Sequence, residues 1–259
     1  MHGAGNDFVV VATAPPAART DGELVRRLAD RRRGIGADGV LFLEQLDDDS
    51  ATFRMHFYNC DGGRAGLCLN GARCAALRAV QLGWADELVR IRTEYTELEA
   101  HVETSTSRVR LRLPLPEAEA RRVDLPAGSI QPSGWAIDIG DPHLVVETTG
   151  VAELGFEDLA RPLRWWNAPD PAGSNVHFVE RSESGWIIRS FERGIEGETL
   201  ACGSGCLSTL LSLVGREEGA TADLQTRTRD TISVAVRGGQ LELAGPAACV
   251  FTTDWTGDG

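Results

Sequence analysis

Cys68-Leu69-Asn70-Gly71-Ala72-Arg73-Cys74 runs straight into Ala75-Ala76-Leu77-Arg78-Ala79, and Ala201-Cys202-Gly203-Ser204-Gly205-Cys206 runs into Leu207-Ser208-Thr209-Leu210-Leu211. Each stretch reads as a helix start headed by a cysteine. The approach to each is alike: Phe57-Tyr58-Asn59 precedes Cys68 as Phe191-Glu192-Arg193 precedes Cys202, an offset of 134. Gly5-Asn6-Asp7-Phe8-Val9-Val10-Val11 resembles Gly140-Asp141-Pro142-His143-Leu144-Val145-Val146 at an offset of 135. Val40-Leu41-Phe42-Leu43 resembles Val176-His177-Phe178-Val179 at 136. One weak match carries little, but several at nearly one spacing mark an internal duplication. The chain reads as two copies of one domain, residues 1–119 and 120–259, with residues from about 246 onward returning to the first. The proline-rich stretch from Pro114 to Pro126 reads as the linker.

Each copy mixes strand and helix signals, which makes the fold class α/β (α+β). Asp7 to Thr13 and Gly39 to Leu46 are strand-like, the second following the turn Gly34-Ile35-Gly36-Ala37-Asp38-Gly39. Thr20-Asp21-Gly22-Glu23 ahead of Leu24, Val25 and Leu28 reads as a capped amphipathic helix. Val89 to Thr93 and Val109 to Leu113 alternate as half-buried strands do. Trp186 to Phe191, Ile232 to Val236 and Gln240 to Leu243 read as strands of the second copy.

The 259 residues are 42% hydrophobic, an ordinary share for a globular protein with a sizeable core. No apolar run is long enough to span a bilayer, so no membrane partner is expected. The opening Met1-His2-Gly3-Ala4-Gly5-Asn6-Asp7 has no basic region followed by an apolar run, so no secretory leader is expected. Six cysteines without a dense framework suit a reducing compartment, and a cytoplasmic location follows. The net charge is −12 and every basic residue is an arginine, which argues against a nucleic-acid partner. The one basic run, Arg31-Arg32-Arg33, reads as a solvated helix end.

The chemistry starts from the two cysteines. A helix N-terminus directs free N–H groups and partial positive charge at its cap, which favours a thiolate and can hold a carboxylate. Two such thiols acting on one small acid would form a proton-transfer pair. The chain contains no lysine, so a pyridoxal phosphate Schiff base is excluded as the way to loosen an amino-acid α-proton. Zinc is disfavoured because no Cys-x-x-Cys pair exists and the spacing of Cys68 and Cys74 suits no common finger. No metal and no cofactor are expected.

In order along the chain, His2-Gly3-Ala4-Gly5-Asn6-Asp7-Phe8, the Gly34 turn, Asn59-Cys60-Asp61-Gly62, the first cysteine motif, Gly140-Asp141-Pro142-His143, Ser174-Asn175-Val176, Glu192-Arg193-Gly194 and Gly197-Glu198-Thr199-Leu200-Ala201-Cys202-Gly203-Ser204-Gly205 together resemble the diaminopimelate epimerase family. The resemblance covers nearly the whole chain. It implies two pseudo-symmetric domains, each a curved, barrel-like sheet around a central helix, with the site in the cleft between them. It also implies a cofactor-independent epimerase of lysine and peptidoglycan precursor synthesis, with an amino acid as the small-molecule partner and a homodimer as the assembly. Cys68 and Cys202 would exchange acid and base roles with reaction direction, poised by His143 and Glu192. The N–H groups of Leu69, Asn70, Gly203 and Ser204 would hold the reacting carboxylate. Asn6, Asn59, Asn175 and Arg193 would bind the rest of the substrate, Arg193 forking onto the distal carboxylate. A racemase or epimerase of another amino acid, and a non-catalytic homologue that binds an amino acid, are the alternatives.

Two positions depart from the family pattern. Leu69 stands where the pattern has glycine, which narrows or strains the pocket if that glycine takes a positive φ or lets a ligand approach. Asp141 stands where the pattern has asparagine; an ionised aspartate only accepts hydrogen bonds and would repel a carboxylate, suiting an ammonium, imidazole or hydroxyl better. The other cysteines, Cys60, Cys74, Cys206 and Cys249, read as small buried hydrophobes. His56 and His177 read as structural, and Trp165-Trp166 as core or domain packing.

Overall fold

The computed structural model describes residues 1–12, 21–46, 51–167 and 170–256. The chain divides into two units, Met1–Leu113 with Ala244–Gly259, and Pro114–Leu243. Both are mixed α/β.

In the first unit, β1 (His2–Gly3) pairs antiparallel with β2 (Asn6–Val11), which is followed by α1 (Gly22–Ala29) and β3 (Gly39–Gln45). Next come β4 (Thr52–Asn59), β5 (Arg64–Ala65), α2 (Leu69–Gln81), β6 (Leu88–Arg92), β7 (Glu97–Glu103) and β8 (Arg108–Pro114). Two of the pairings are parallel, β2 with β3 and β4 with β6, and a helix makes the crossover in each case. The pairs β3–β4, β4–β5, β6–β7 and β7–β8 are antiparallel.

Asp21 starts α1, its carboxylate accepting from the N–H groups of Glu23 (2.9 Å) and Leu24 (3.1 Å). Thr13 and Thr20, expected in the first strand and its following cap, lie outside the described residues. Helix α1 buries Val25, Leu28 and Ala29 against Val9, Val40, Phe42 and Tyr58. Helix α2 is different in kind. It is buried on every side, from Leu69 to Leu77 and at Ala79, and it packs against β1, β2, β3, β4, β6 and β7. Its sequence explains this: Gly71, Ala72, Cys74, Ala75, Ala76 and Ala79 are small enough for strands to approach all round. A Cβ on Gly71 would already lie 3.2 Å from Leu41.

The second unit repeats this order. Strands β9 (Arg121–Asp124), β10 (Ser133–Asp138) and β11 (Pro142–Glu147) pair antiparallel in sequence. Then follow α3 (Phe156–Arg164), β12 (Asn175–Ser182), β13 (Gly185–Glu192), β14 (Gly197–Thr199), α4 (Gly203–Thr209), β15 (Thr221–Gln225), β16 (Thr231–Arg237) and β17 (Gln240–Pro246). Again β11 is parallel to β12 across a helix, and β13 is parallel to β15 across the second helix. The registers match: Thr52 opposite Arg90 corresponds to Trp186 opposite Leu224, an offset of 134 at both ends. Phe156, Ala160 and Leu163 of α3 meet Leu144, Val146, Val176, Phe178 and Phe191 in the core.

Three local expectations need correction. Within the stretch expected to be a linker, Arg121–Asp124 is a strand, because β10 supplies the hydrogen-bonding partner that its charged sequence does not advertise. Cys60 is exposed and Cys249 half-buried; of the four cysteines expected to be buried hydrophobes, only Cys74 and Cys206 are. Trp165 is 62% exposed beneath the Arg164 guanidinium, while its neighbour Trp166 packs on the core.

Candidate active site

In the first unit, Cys68 is the N-cap of α2, with extended backbone (φ −127°, ψ 114°), and its sulfur accepts the N–H of Gly71 at 3.5 Å. Its Sγ also donates to the side-chain oxygen of Asn6 at 3.7 Å, and the Asn70 amide donates to the same oxygen at 3.2 Å. The Asn6 amide is held in turn by Asp38 at 2.8 Å. Arg31 binds both oxygens of Asp7 at 2.8 Å and reaches Asp38 at 2.7 Å. That run of arginines is therefore not simply solvated: its first member fixes the carboxylate that orients Asn6. Behind Asn70, the buried Arg73 donates to the Asn70 oxygen at 3.0 Å and to the Pro246 carbonyl at 3.2 Å. Leu69 is the first helical residue and is buried, and it is not among the positive-φ residues, so leucine there carries no backbone strain. Asn59 ends β4 with its side chain exposed, and its backbone closes the turn to Gly63.

In the second unit, Cys202 repeats the cap. Its backbone is extended (φ −121°, ψ 110°), and its sulfur accepts the N–H of Gly205 at 3.3 Å. Gly203 is buried at the first turn, and the Ser204 hydroxyl lies 3.4 Å from the sulfur. Burial pushes the Cys202 thiol well above the ordinary range, and the Glu192 carboxylate adds to it. The Ser204 and Gly205 hydrogen bonds oppose that shift without cancelling it. Desolvation thus outweighs the helix terminus and favours the thiol form of Cys202.

Glu192 accepts a short hydrogen bond from the Thr199 hydroxyl. Thr199 is placed by β14, which is clamped from behind: Arg189 binds both oxygens of Glu198, at 2.6 and 2.8 Å, and donates to the carbonyls of Val151 and Leu154. Asn175 accepts the Arg193 N–H at 2.9 Å and donates to the Pro142 carbonyl at 3.4 Å. The Arg193 guanidinium donates to Asp141 at 2.5 Å. Arg193, expected to fork onto the distal carboxylate, and Asp141, the departure from the family pattern, are therefore each other's partner.

His143 is completely buried at the start of β11, and its Nδ1 lies 2.8 Å from Nε2 of His177. His177, expected to be structural, joins the site in this way and lies directly under the second cysteine helix. A Cβ on Gly205 would sit 2.4 Å from its ring, so only glycine fits there. The signal was present: a histidine in a buried strand position, with a glycine at the third residue of a helix. Asp38 and Thr199 are further contributors that lie inside quoted motifs without having been given a role, and Ser190 is one that no motif contains.

The fold is shared with solved proteins of low sequence identity. The chain is similar to a solved protein of the phenazine biosynthesis PhzF family from Enterococcus faecalis (TM-score 0.67, 13% identity, 94% of this chain and 89% of that one). It is also similar to a probable proline racemase from Agrobacterium radiobacter K84 (TM-score 0.68, 14% identity, 96% and 92%). Sequence narrows the class. The diaminopimelate epimerase family model matches residues 1–113. The diaminopimelate epimerase of Hydrogenobaculum sp. (strain Y04AAS1) is 30% identical over 263 residues, 96% of this chain and 95% of that protein. The chain belongs to the diaminopimelate epimerase family, and it is an isomerase of the epimerase type.

Proposed function

We propose that the protein interconverts LL- and meso-diaminopimelate without a cofactor, Cys68 and Cys202 serving as the proton-transfer pair. The observation that carries this is the repeated cap: two cysteines with the same extended backbone, each accepting the N–H three residues on, at corresponding places in two matching units. One sulfur, as thiolate, takes the α-proton and leaves the electron pair of the C–H bond on the α-carbon. The other, as thiol, delivers a proton to the opposite face. Burial and the Glu192 carboxylate favour the protonated form of Cys202, which supports Cys68 as the thiolate of the pair. N–H groups of Leu69, Asn70, Gly203 and Ser204 stabilise the negative charge that develops on the reacting carboxylate. Asn6, Asn59, Asn175 and Arg193 bind the remainder, and His143 and Glu192 poise the thiols. Six free cysteines support a cytoplasmic, reducing location, and family membership supports a homodimer.

A second reading is favoured by the Asp141–Arg193 pair: the same proton transfer on an amino acid lacking a distal carboxylate. A panel of single stereoisomers, diaminopimelate among them, resolved by chiral chromatography tests both. Turnover of diaminopimelate by orders of magnitude over the rest supports the first reading, and preference for a substrate with no second carboxylate replaces it.

A further inference from the structure

His143, His177 and Ser190 form a closed chain inside the second unit. The two rings are fully buried and Ser190 is 3% exposed. His143 Nδ1 lies 2.8 Å from His177 Nε2, and His177 Nδ1 lies 2.9 Å from Ser190 Oγ. The ring planes are 26° apart with centroids at 5.1 Å, so with the 2.8 Å N···N contact the two imidazoles meet edge to edge. Burial holds both rings neutral. It takes His177 down to about 3, and for His143 the neighbouring His177 and Arg193 add to the effect. Each ring therefore carries one hydrogen.

With one hydrogen per ring, the direction of either bond fixes the other. Suppose His143 donates from Nδ1. His177 then accepts at Nε2 and must donate from Nδ1 to Ser190, whose own hydrogen is left over. Among the described residues the Ser190 hydroxyl has no partner besides His177. A buried hydroxyl hydrogen without an acceptor is disfavoured, and the lone pair on His143 Nε2 would be orphaned as well. The reverse direction leaves fewer loose ends. Ser190 donates to His177 Nδ1, His177 donates from Nε2 to His143 Nδ1, and the only unsatisfied group is His143 Nε2 with its hydrogen. That atom is the one member of the chain that is buried without a partner among the described residues.

We propose that Ser190 and His177 fix the tautomer of His143, so that His143 carries its hydrogen on Nε2 and acts as a hydrogen-bond donor instead of a base. Its other nitrogen is occupied by the His177 N–H and cannot receive a proton from a thiol. A neutral donor stabilises a thiolate or carboxylate without bringing a charge into a buried place. His177 and Ser190 are positioning residues that act through His143. Only the use of the donor rests on the epimerase reading above; the tautomer stands on the hydrogen-bond accounting alone.

The test is nitrogen NMR of the full-length protein labelled with ¹⁵N-histidine, using the scalar coupling across the His177–His143 N–H···N bond to identify the pair. The expected result places hydrogens on His177 Nε2 and His143 Nε2, unchanged from pH 6 to 8. Ser190→Ala should raise the share of the His143 Nδ1–H form about tenfold, the worth of one buried hydrogen bond. It should lower kcat with KM within about twofold, and Ser190→Thr, which keeps the hydroxyl, should restore both. A hydrogen on His143 Nδ1 in the wild type, or an unchanged tautomer in Ser190→Ala, overturns the proposal. Absence of turnover on diaminopimelate strikes the epimerase reading and leaves the NMR result to stand or fall by itself.

Discussion

The two cysteine caps share a backbone and the N–H that each sulfur accepts, and differ in the side chains around the sulfur. Their φ and ψ angles agree within 6°, and each accepts the N–H three residues on. Around Cys68, half-buried, stands an amide held by a carboxylate that is itself paired with Arg31. Around Cys202 stand burial, a carboxylate and a hydroxyl. Duplication supplied the same partial positive charge twice, but a helix terminus offers only about 0.3–1 kcal/mol, up to about 2 when partly buried. Desolvation of a fully buried thiolate is the larger effect, so surroundings rather than backbone set the protonation state. Such an asymmetry on the Cys202 side suits a reaction in which one of the two sulfurs must hold a proton.

The largest effect should come from removing either sulfur. Cys68→Ala and Cys202→Ala should each lower epimerisation by at least the roughly 10²–10⁴-fold of a lost general acid–base group, with circular dichroism and melting temperature close to wild type. Near wild-type turnover in either variant would end the symmetry of roles.

A second experiment sharpens the difference between the caps. Because burial raises the Cys202 pKa, its thiolate fraction at neutral pH lies below the few per cent of an ordinary thiol and grows only as pH rises into the alkaline range. Peptide mapping after brief iodoacetamide treatment at pH 7.5 should find Cys68 labelled well ahead of Cys202, the gap narrowing as pH rises. Equal labelling at pH 7.5 would contradict the assignment of Cys202 as the thiol.

The smallest effect concerns Asp141. Its ion pair with Arg193 is 57% exposed on the aspartate side, so it is worth at most about 1 kcal/mol. Asp141→Asn should free the guanidinium and raise kcat/KM for diaminopimelate by up to about fivefold. A fall instead would mean that Asp141 receives the distal ammonium.

Much of this arrangement was readable in advance where chemistry coincides with local pattern. The cysteine caps, the turns and the alternating Val89 and Val109 strands each carry their signal within a few residues. What escaped notice depends on partners far along the chain. Arg121–Asp124 is a strand only because β10 lies beside it, and Ser190 matters only through His177. His177 itself sits in a run of buried strand residues, where a histidine looks like core until the glycine beneath Cys202 is seen against its ring. Glu97-Leu98-Glu99-Ala100-His101-Val102-Glu103 is the opposite case: its alternation alone forecasts β7.

The central claim is that one cysteine removes a proton and the other returns a different one. A single stereoisomer of diaminopimelate incubated in D₂O and sampled at low conversion tests it directly. The product should carry solvent deuterium at the inverted α-carbon, while the remaining substrate keeps its original hydrogen. Product that retains the substrate's own hydrogen, or deuterium appearing equally in both pools, would show that a single group handles the proton.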